Sequence, residues 1–168
     1  MIEKLHQYIK ENYEKNTLKK EKKSIHESYD TLEDFCCAEA GGAYLDINTF
    51  IKQKDNYNDF QTMLFHLIDE RGLKDSDVYN KVHIDRRLFS KIRNDNTYHP
   101  SKETIILLGL SLELNENEIE KLLDSASYSL PKNNYYDLII RFCFINKIYK
   151  LTKVNSLLDE YNCKLFNY

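Results

Sequence analysis

The sequence predicts an all-helical protein. Its 168 residues hold only four glycines and two prolines, Pro100 and Pro131, too few turn-formers for a chain of many short strands. Apolar residues also recur three and four apart in one segment after another, which is the helical period. With 42% hydrophobic residues, a chain of this length can bury one sizeable core, or one core and a small second unit. Three parts are expected: an N-terminal helical extension and linker over 1–58, a central helical domain over 59–126, and a C-terminal helical appendix over 127–168.

Met1–Asn16 carries Ile2, Leu5, Ile9 and Tyr13 at helical spacing, with Tyr8 alongside, and predicts one amphipathic helix that needs a partner face. Thr17–Ser28, with Lys19, Lys20, Lys22 and Lys23, reads as a solvated linker or helix end, with an auxiliary basic arm as the alternative. Thr31–Glu39 opens on a Thr cap and stops at Gly41-Gly42, so a short helix is expected there; Ala43–Asn58 receives no role.

Asp59 is placed to cap a helix over Phe60–Arg71, whose Met63, Leu64, Leu67 and Ile68 form an apolar face. His66 and Glu70, four apart on it, read as a surface pair. After Gly72, Asp75 and Ser76 are candidate N-caps of a second helix, with Asp77 suited to its positive end. Val78 and Val82 face inward. His83 and Ile84 form a turn, Ile84 acting as an apolar plug, and Asp85 caps a third helix on which Leu88, Phe89 and Ile92 make one buried stripe. Arg86, Arg87, Ser90, Lys91 and Arg93 are left on its other faces. A loop then leads to Pro100-Ser101, to a helix with Leu107, Leu108, Leu110 and Leu112, and to a helix opening at Asn115-Glu116 with Ile119, Leu122 and Leu123. Beyond Pro131, Tyr135–Lys147 is almost continuously apolar through Ile139, Ile140, Phe142, Phe144, Ile145 and Ile148, and Thr152–Tyr161 brings Val154, Leu157, Leu158 and Tyr161. Such helices are either deeply buried or paired with another subunit.

Charge is unevenly distributed. Between Asn80 and Lys102, six basic residues against Asp85 and Asp95 leave +4, whereas from Glu103 to Asp124 six acids against Lys121 leave −5. In a chain of net charge −3, one concentrated basic stretch directs a polyanion to one place.

From Phe60 to roughly Leu123 this order of features resembles the DNA-binding domain of the Cro/phage-repressor (XRE-like) helix-turn-helix family. Phe65–Leu73, Ile84–Arg93 and Pro100-Ser101-Lys102 resemble in particular a bacterial subgroup found alone or appended to other domains. The resemblance implies a repressor-like bundle of about five helices. By position it implies that Arg86, Arg87 and Lys91 are the base-reading side chains. An arginine fork suits the O6 and N7 acceptors of guanine, although two adjacent arginines serve equally to grip phosphates. Tyr79 stands where the family commonly has a small residue. Lys81, Ser90, Arg93, Tyr98, His99 and Lys102 are the candidate phosphate contacts, which fix register without reading sequence.

The function expected is therefore that of a DNA-binding transcriptional regulator, bound to double-stranded DNA as a homodimer whose first candidate dimerisation surface is the appendix. The alternative is a protein-interaction adaptor, such as the accessory component of a toxin–antitoxin or antiviral (phage-defence) system, with its protein partner on residues 1–58 or 135–161. A third reading is binding of structured RNA.

No nucleophile-and-base set, phosphate loop or paired-carboxylate arrangement marks an enzyme. Cys36, Cys37, Cys143 and Cys163 form neither a disulfide framework nor a zinc pattern, so no metal or cofactor is expected. No apolar run approaches the roughly 20 residues that span a bilayer, and Met1-Ile2-Glu3-Lys4 lacks a signal-peptide core. A soluble cytoplasmic protein is expected.

Overall fold

The computed structural model describes residues 1–14 and 59–167. The expectations for residues 15–58, among them the lysine-rich linker, the helix stopped by Gly41-Gly42, and Cys36 and Cys37, lie outside the described residues. The rest is all-helical, with eight α-helices and no strand among the described residues: α1 (Ile2–Ile9), α2 (Phe60–Glu70), α3 (Asp75–Lys81), α4 (Arg86–Asn94), α5 (Lys102–Ser111), α6 (Glu116–Ser125), α7 (Tyr135–Ile145) and α8 (Leu151–Asp159). A π-helical turn over Lys10–Glu14 continues α1.

The centre of the bundle is α5. It buries Ile105, Ile106, Leu108, Gly109, Leu110 and Ser111, residues pointing in every direction round the axis, as a helix enclosed on all sides must. α3 and α6 pack directly on it, while α2 and α7 pack on α6. Gly109 allows a close approach of α6 and α7 to α5. A Cβ there would lie 2.5 Å from Ile119 Cδ1 of α6 and 3.2 Å from Phe144 Cζ of α7.

Six helix ends share one termination. The chain turns left-handed at Gly72 (φ 61°), His83 (56°), Glu113 (55°), Ser127 (59°), Lys147 (55°) and Asn162 (51°). In each case the next residue's N–H donates to the carbonyl five residues back, as Ile84 does to Tyr79 (2.9 Å), Leu114 to Gly109 (3.1 Å) and Ile148 to Cys143 (2.8 Å). This is the Schellman closure, which satisfies carbonyls the helix leaves open and turns an apolar side chain back onto the last turn. Ile84, Leu114 and Ile148 are buried accordingly.

The N-terminal ends differ in detail from the expected caps. Asp85, Ser101, Asn115 and Asn134 accept side-chain bonds from the first turns of α4 to α7. Asp59 sits at the capping position of α2 but its side chain makes no cap bond. α3 starts one residue earlier than expected: Lys74 holds the capping position, Asp75 lies inside the helix, and Asp77 accepts the Lys74 backbone N–H (3.4 Å).

The described residues of all three expected parts share one apolar core that runs from Leu5 to Phe166. α1 packs on α7, with Leu5 and Ile9 buried and the Tyr8 and Phe142 rings 5.5 Å apart. The appendix faces that were candidates for dimerisation are used within the chain: Ile139, Ile140, Phe142, Phe144 and Ile148 are buried, and of that set only Ile145 is exposed. α7 lies beneath α1, α6 and α8, so its apolar circumference extends the core instead of offering a face. No helix among the described residues is long and apolar enough to cross a membrane.

Gly109→Ala should destabilise the fold by about 1 kcal/mol or more, because the methyl overpacks Ile119 and outweighs the better helix propensity of alanine. Adding Ile119→Val removes the clashing Cδ1 atom, so the double variant should be more stable than the two single losses sum to, read by urea denaturation as a favourable coupling.

Candidate nucleic-acid interface

α3 and α4 are joined by Val82–Asp85, and both are held from behind. Val78 and Val82 of the first, Ile84 of the turn, and Phe89 and Ile92 of the second are buried. Ser111 Oγ of α5 donates to the Val78 carbonyl (2.6 Å). Tyr79, half-buried, lays its ring 5.5 Å from Phe89, so the bulky residue occupies the cleft between the two helices without displacing either from the core. Phe65 of α2 meets Phe89 edge-on at 6.1 Å. Gln61 of α2 donates its Nε2 to the Ile92 carbonyl (3.0 Å) and to that of Arg93, closing carbonyls at the end of α4 that have no intrahelical donor. α4 is thereby fixed at both ends, its start by the Asp85 carboxylate on the Arg87 N–H (2.6 Å).

Arg86 and Arg87, in its first turn, are exposed, and neither guanidinium makes an ion pair or hydrogen bond with the described residues. Lys91 is also exposed and sits over the Tyr98 ring, its Nζ 4.3 Å from the ring centre. The structure therefore brings the three candidate readers to the outer side of one rigid helix. Asp95 closes the loop that follows. Its carboxylate accepts the Thr97 hydroxyl (2.6 Å) and N–H (3.0 Å), contacts that hold its pKa below the usual carboxylate range.

The candidate phosphate contacts divide. Lys81 bridges Glu113 (2.6 Å) and the Ser111 carbonyl (3.0 Å), so its ammonium ties α3 to the end of α5. Lys102 pairs with Asp137 at 2.5 Å, and the Asp137 side chain is only 5% exposed. That carboxylate also takes Asn134 Nδ2 (2.7 Å), which makes Lys102 a core counter-ion and not a surface contact. His99 bonds through Nε2 to the Ala126 carbonyl (2.8 Å) and sets its ring at a tilt beside Tyr128, a packing role. Ser90 Oγ accepts from Asn94 (3.1 Å) and remains exposed. Arg93 pairs with Asp75 at 2.5 Å and lies 3.9 Å over the Phe65 ring; it and Arg86 border a shallow cleft of about 380 Å³ with Lys74, Asp75 and Ser90.

Comparison with protein-family models, curated proteins and solved structures finds no match. The arrangement has to be judged on its own chemistry.

That chemistry is electrostatic. His66 and Glu70 are the expected exposed pair (3.5 Å). No group of three or more His, Cys, Asp or Glu among the described residues could hold a metal ion. The Cys143 thiol is pushed up to about 12 by burial, which makes it a core residue and a poor nucleophile. Sequence reasoning missed the carboxylate partners of Lys81, Arg93 and Lys102. All three lie 18 to 35 residues away in the chain, beyond any local charge pattern.

Lys102→Met should lower stability by about 3 kcal/mol, because it strands a buried carboxylate. Asp137→Asn added to it should recover part of that loss. A Lys102 that served only as a phosphate contact would leave the denaturation midpoint unmoved.

Proposed function

We propose that the α3–α4 pair is a helix-turn-helix and that the protein binds double-stranded DNA through α4, as a transcriptional regulator would. The observation that carries this reading is the pair of exposed guanidiniums of Arg86 and Arg87, unpaired among the described residues, in the first turn of a helix whose opposite side is buried. A rod held this way can enter a major groove with its N-terminal residues leading. Lys91, one turn on, extends the same surface, and Ser90 and Tyr98 flank it. Phosphate contacts fall to whichever of the two leading arginines does not reach a base edge, while Arg93 is held by Asp75. Lys81, Lys102 and His99 have no part in this interface. The reading also makes no use of residues 135–161 as a dimer face, since their apolar side chains lie almost wholly in the core.

The adaptor alternative has less support. Of the 1–58 surface it assigns to a partner, the described part includes α1, whose apolar side is packed against α7.

Selection from random duplex oligonucleotides, followed by binding titrations against salt, tests the proposal. Arg86→Ala with Arg87→Ala should leave the fold intact and abolish tight duplex binding. If both residues grip phosphates, the salt slope falls by about two; if they read bases, preference relaxes at defined positions at about 1–3 kcal/mol each. Enrichment of no sequence, with duplex RNA competing equally, counts against the reading. Asp75→Asn should release Arg93 and tighten duplex binding while steepening the salt slope by about one.

A further inference from the structure

A second cavity, of about 330 Å³, opens between α6 and the loop leading into α7. We infer that it is a binding site for a small zwitterion with an apolar body, a free α-amino acid of the leucine or phenylalanine kind. Its volume falls at the lower end of small-molecule sites. The apolar wall comes from Tyr128, Leu130 and Pro131.

Two of the four charged residues around the cavity neutralise each other. Arg141 pairs with Glu120 and with Glu116 (2.7 Å) and donates to the Leu130 carbonyl (3.0 Å). Burial works against the Arg141 charge, and the two glutamates outweigh it, so its pKa is raised. The same guanidinium fixes the wall by holding Leu130. Its Nε–H is buried without an acceptor among the described residues.

Lys121 and Asp124 remain. They are exposed at the rim, and neither side chain makes an ion pair or hydrogen bond with the described residues. Three residues apart on α6, they project on the same side of the helix about 5–6 Å from each other. One positive and one negative group at that spacing, beside an apolar wall, match the carboxylate, ammonium and side chain of an amino acid. A simple anion or a simple amine would leave one of them facing a like charge.

The cavity also bears on the proposed DNA surface, and this part of the inference rests on that reading. The Tyr128 hydroxyl lies 3.4 Å from His99 Nδ1 and the two rings are 5.2 Å apart. His99 follows Tyr98, the residue beneath the Lys91 ammonium. A ligand seated against Tyr128 therefore presses on the loop that supports one of the three readers. Occupancy of the cavity is coupled to duplex affinity through that contact.

The test titrates the full chain, ¹⁵N-labelled, with L-phenylalanine and L-leucine. N-acetyl-L-phenylalanine, which lacks the ammonium, and phenethylamine, which lacks the carboxylate, are titrated in parallel. Amide shifts should concentrate at residues 120–131 and 141. Each truncated analogue, and each of Lys121→Met and Asp124→Asn, should bind about tenfold more weakly, as the loss of one charged contact implies. Absence of shifts with either amino acid, or equal binding by the analogues and variants, overturns the site.

Coupling is read separately, as a change in duplex affinity of about fivefold at saturating L-phenylalanine, diminished in Tyr128→Phe. An unchanged duplex affinity overturns the coupling alone. Amino-acid binding by a protein that takes no duplex supports the cavity and overturns the DNA reading.

Discussion

The enclosure of α5 is the constraint from which the rest of the structure follows. A helix with Ile105, Ile106, Leu108 and Leu110 all fully buried needs neighbours on every side, and each one it recruits is then fixed. α3 is held through Ser111 on the Val78 carbonyl and Lys81 on the Ser111 carbonyl, the second placing a cation at the negative end of α5. α6 is drawn in over Gly109, where the lack of a side chain admits Ile119 and Phe144. α4 has little apolar surface of its own beyond Phe89 and Ile92. Its direction is inherited from α3 through the Ile84 turn and from α2 through Gln61 and Phe65. The outward pose of Arg86 and Arg87 is thus a consequence of packing on the far side of the bundle.

The repeated left-handed helix ends explain how so compact an arrangement arises with four glycines in the whole chain. A non-glycine residue in that conformation costs about 1 kcal/mol. Here five of the six such positions carry a side chain, and the cost is offset by what comes next: the following N–H closes the helix, and an apolar side chain such as Leu114 or Ile148 enters the core. Fixing the exit direction of each helix in this way keeps the connections short. It also makes the turn between α3 and α4, built on His83, one instance of a device used along the chain.

The same device marks where the fold was legible in the sequence and where it was not. The helical class, the run from Phe60 to Gly72, the Ile84 plug, the Asp85 cap and the Asn115 start could be read because apolar period and capping chemistry are local. Glu113, Ser127 and Lys147 carry no turn signal, so the ends of α5, α6 and α7 are visible only in the apolar residue that follows each. The mutual burial of α1 and α7 was not legible, because periodicity shows that a helix has an apolar side and not what covers it. An almost wholly apolar helix such as Tyr135–Ile145 is consistent with a core or with a subunit interface. Only the placement of α1, α6 and α8 around it decides for the core.

The charge pattern was read correctly as a sequence and incompletely as a surface. The acidic run over Glu103–Asp124 is largely internal stitching: Glu103 meets Lys164, Glu113 meets Lys81, Glu116 and Glu120 meet Arg141, and Glu118 meets Arg71. Burial raises the Glu118 carboxyl, but the Asn115 N–H and Arg71 outweigh it and hold its pKa below the ordinary range. Basic residues are consumed in the same way, Lys81, Arg93 and Lys102 each by a carboxylate from elsewhere in the fold. The carboxylate nearest Arg86 and Arg87 in sequence, Asp85, is occupied as a helix cap. Between Asn80 and Lys102, the cations left without a carboxylate partner among the described residues are Arg86, Arg87 and Lys91, all on α4. On the proposed DNA-binding reading, an approaching polyanion meets the two guanidiniums that no carboxylate of the described residues neutralises, and that residual charge, more than the +4 of the whole stretch, sets where docking begins.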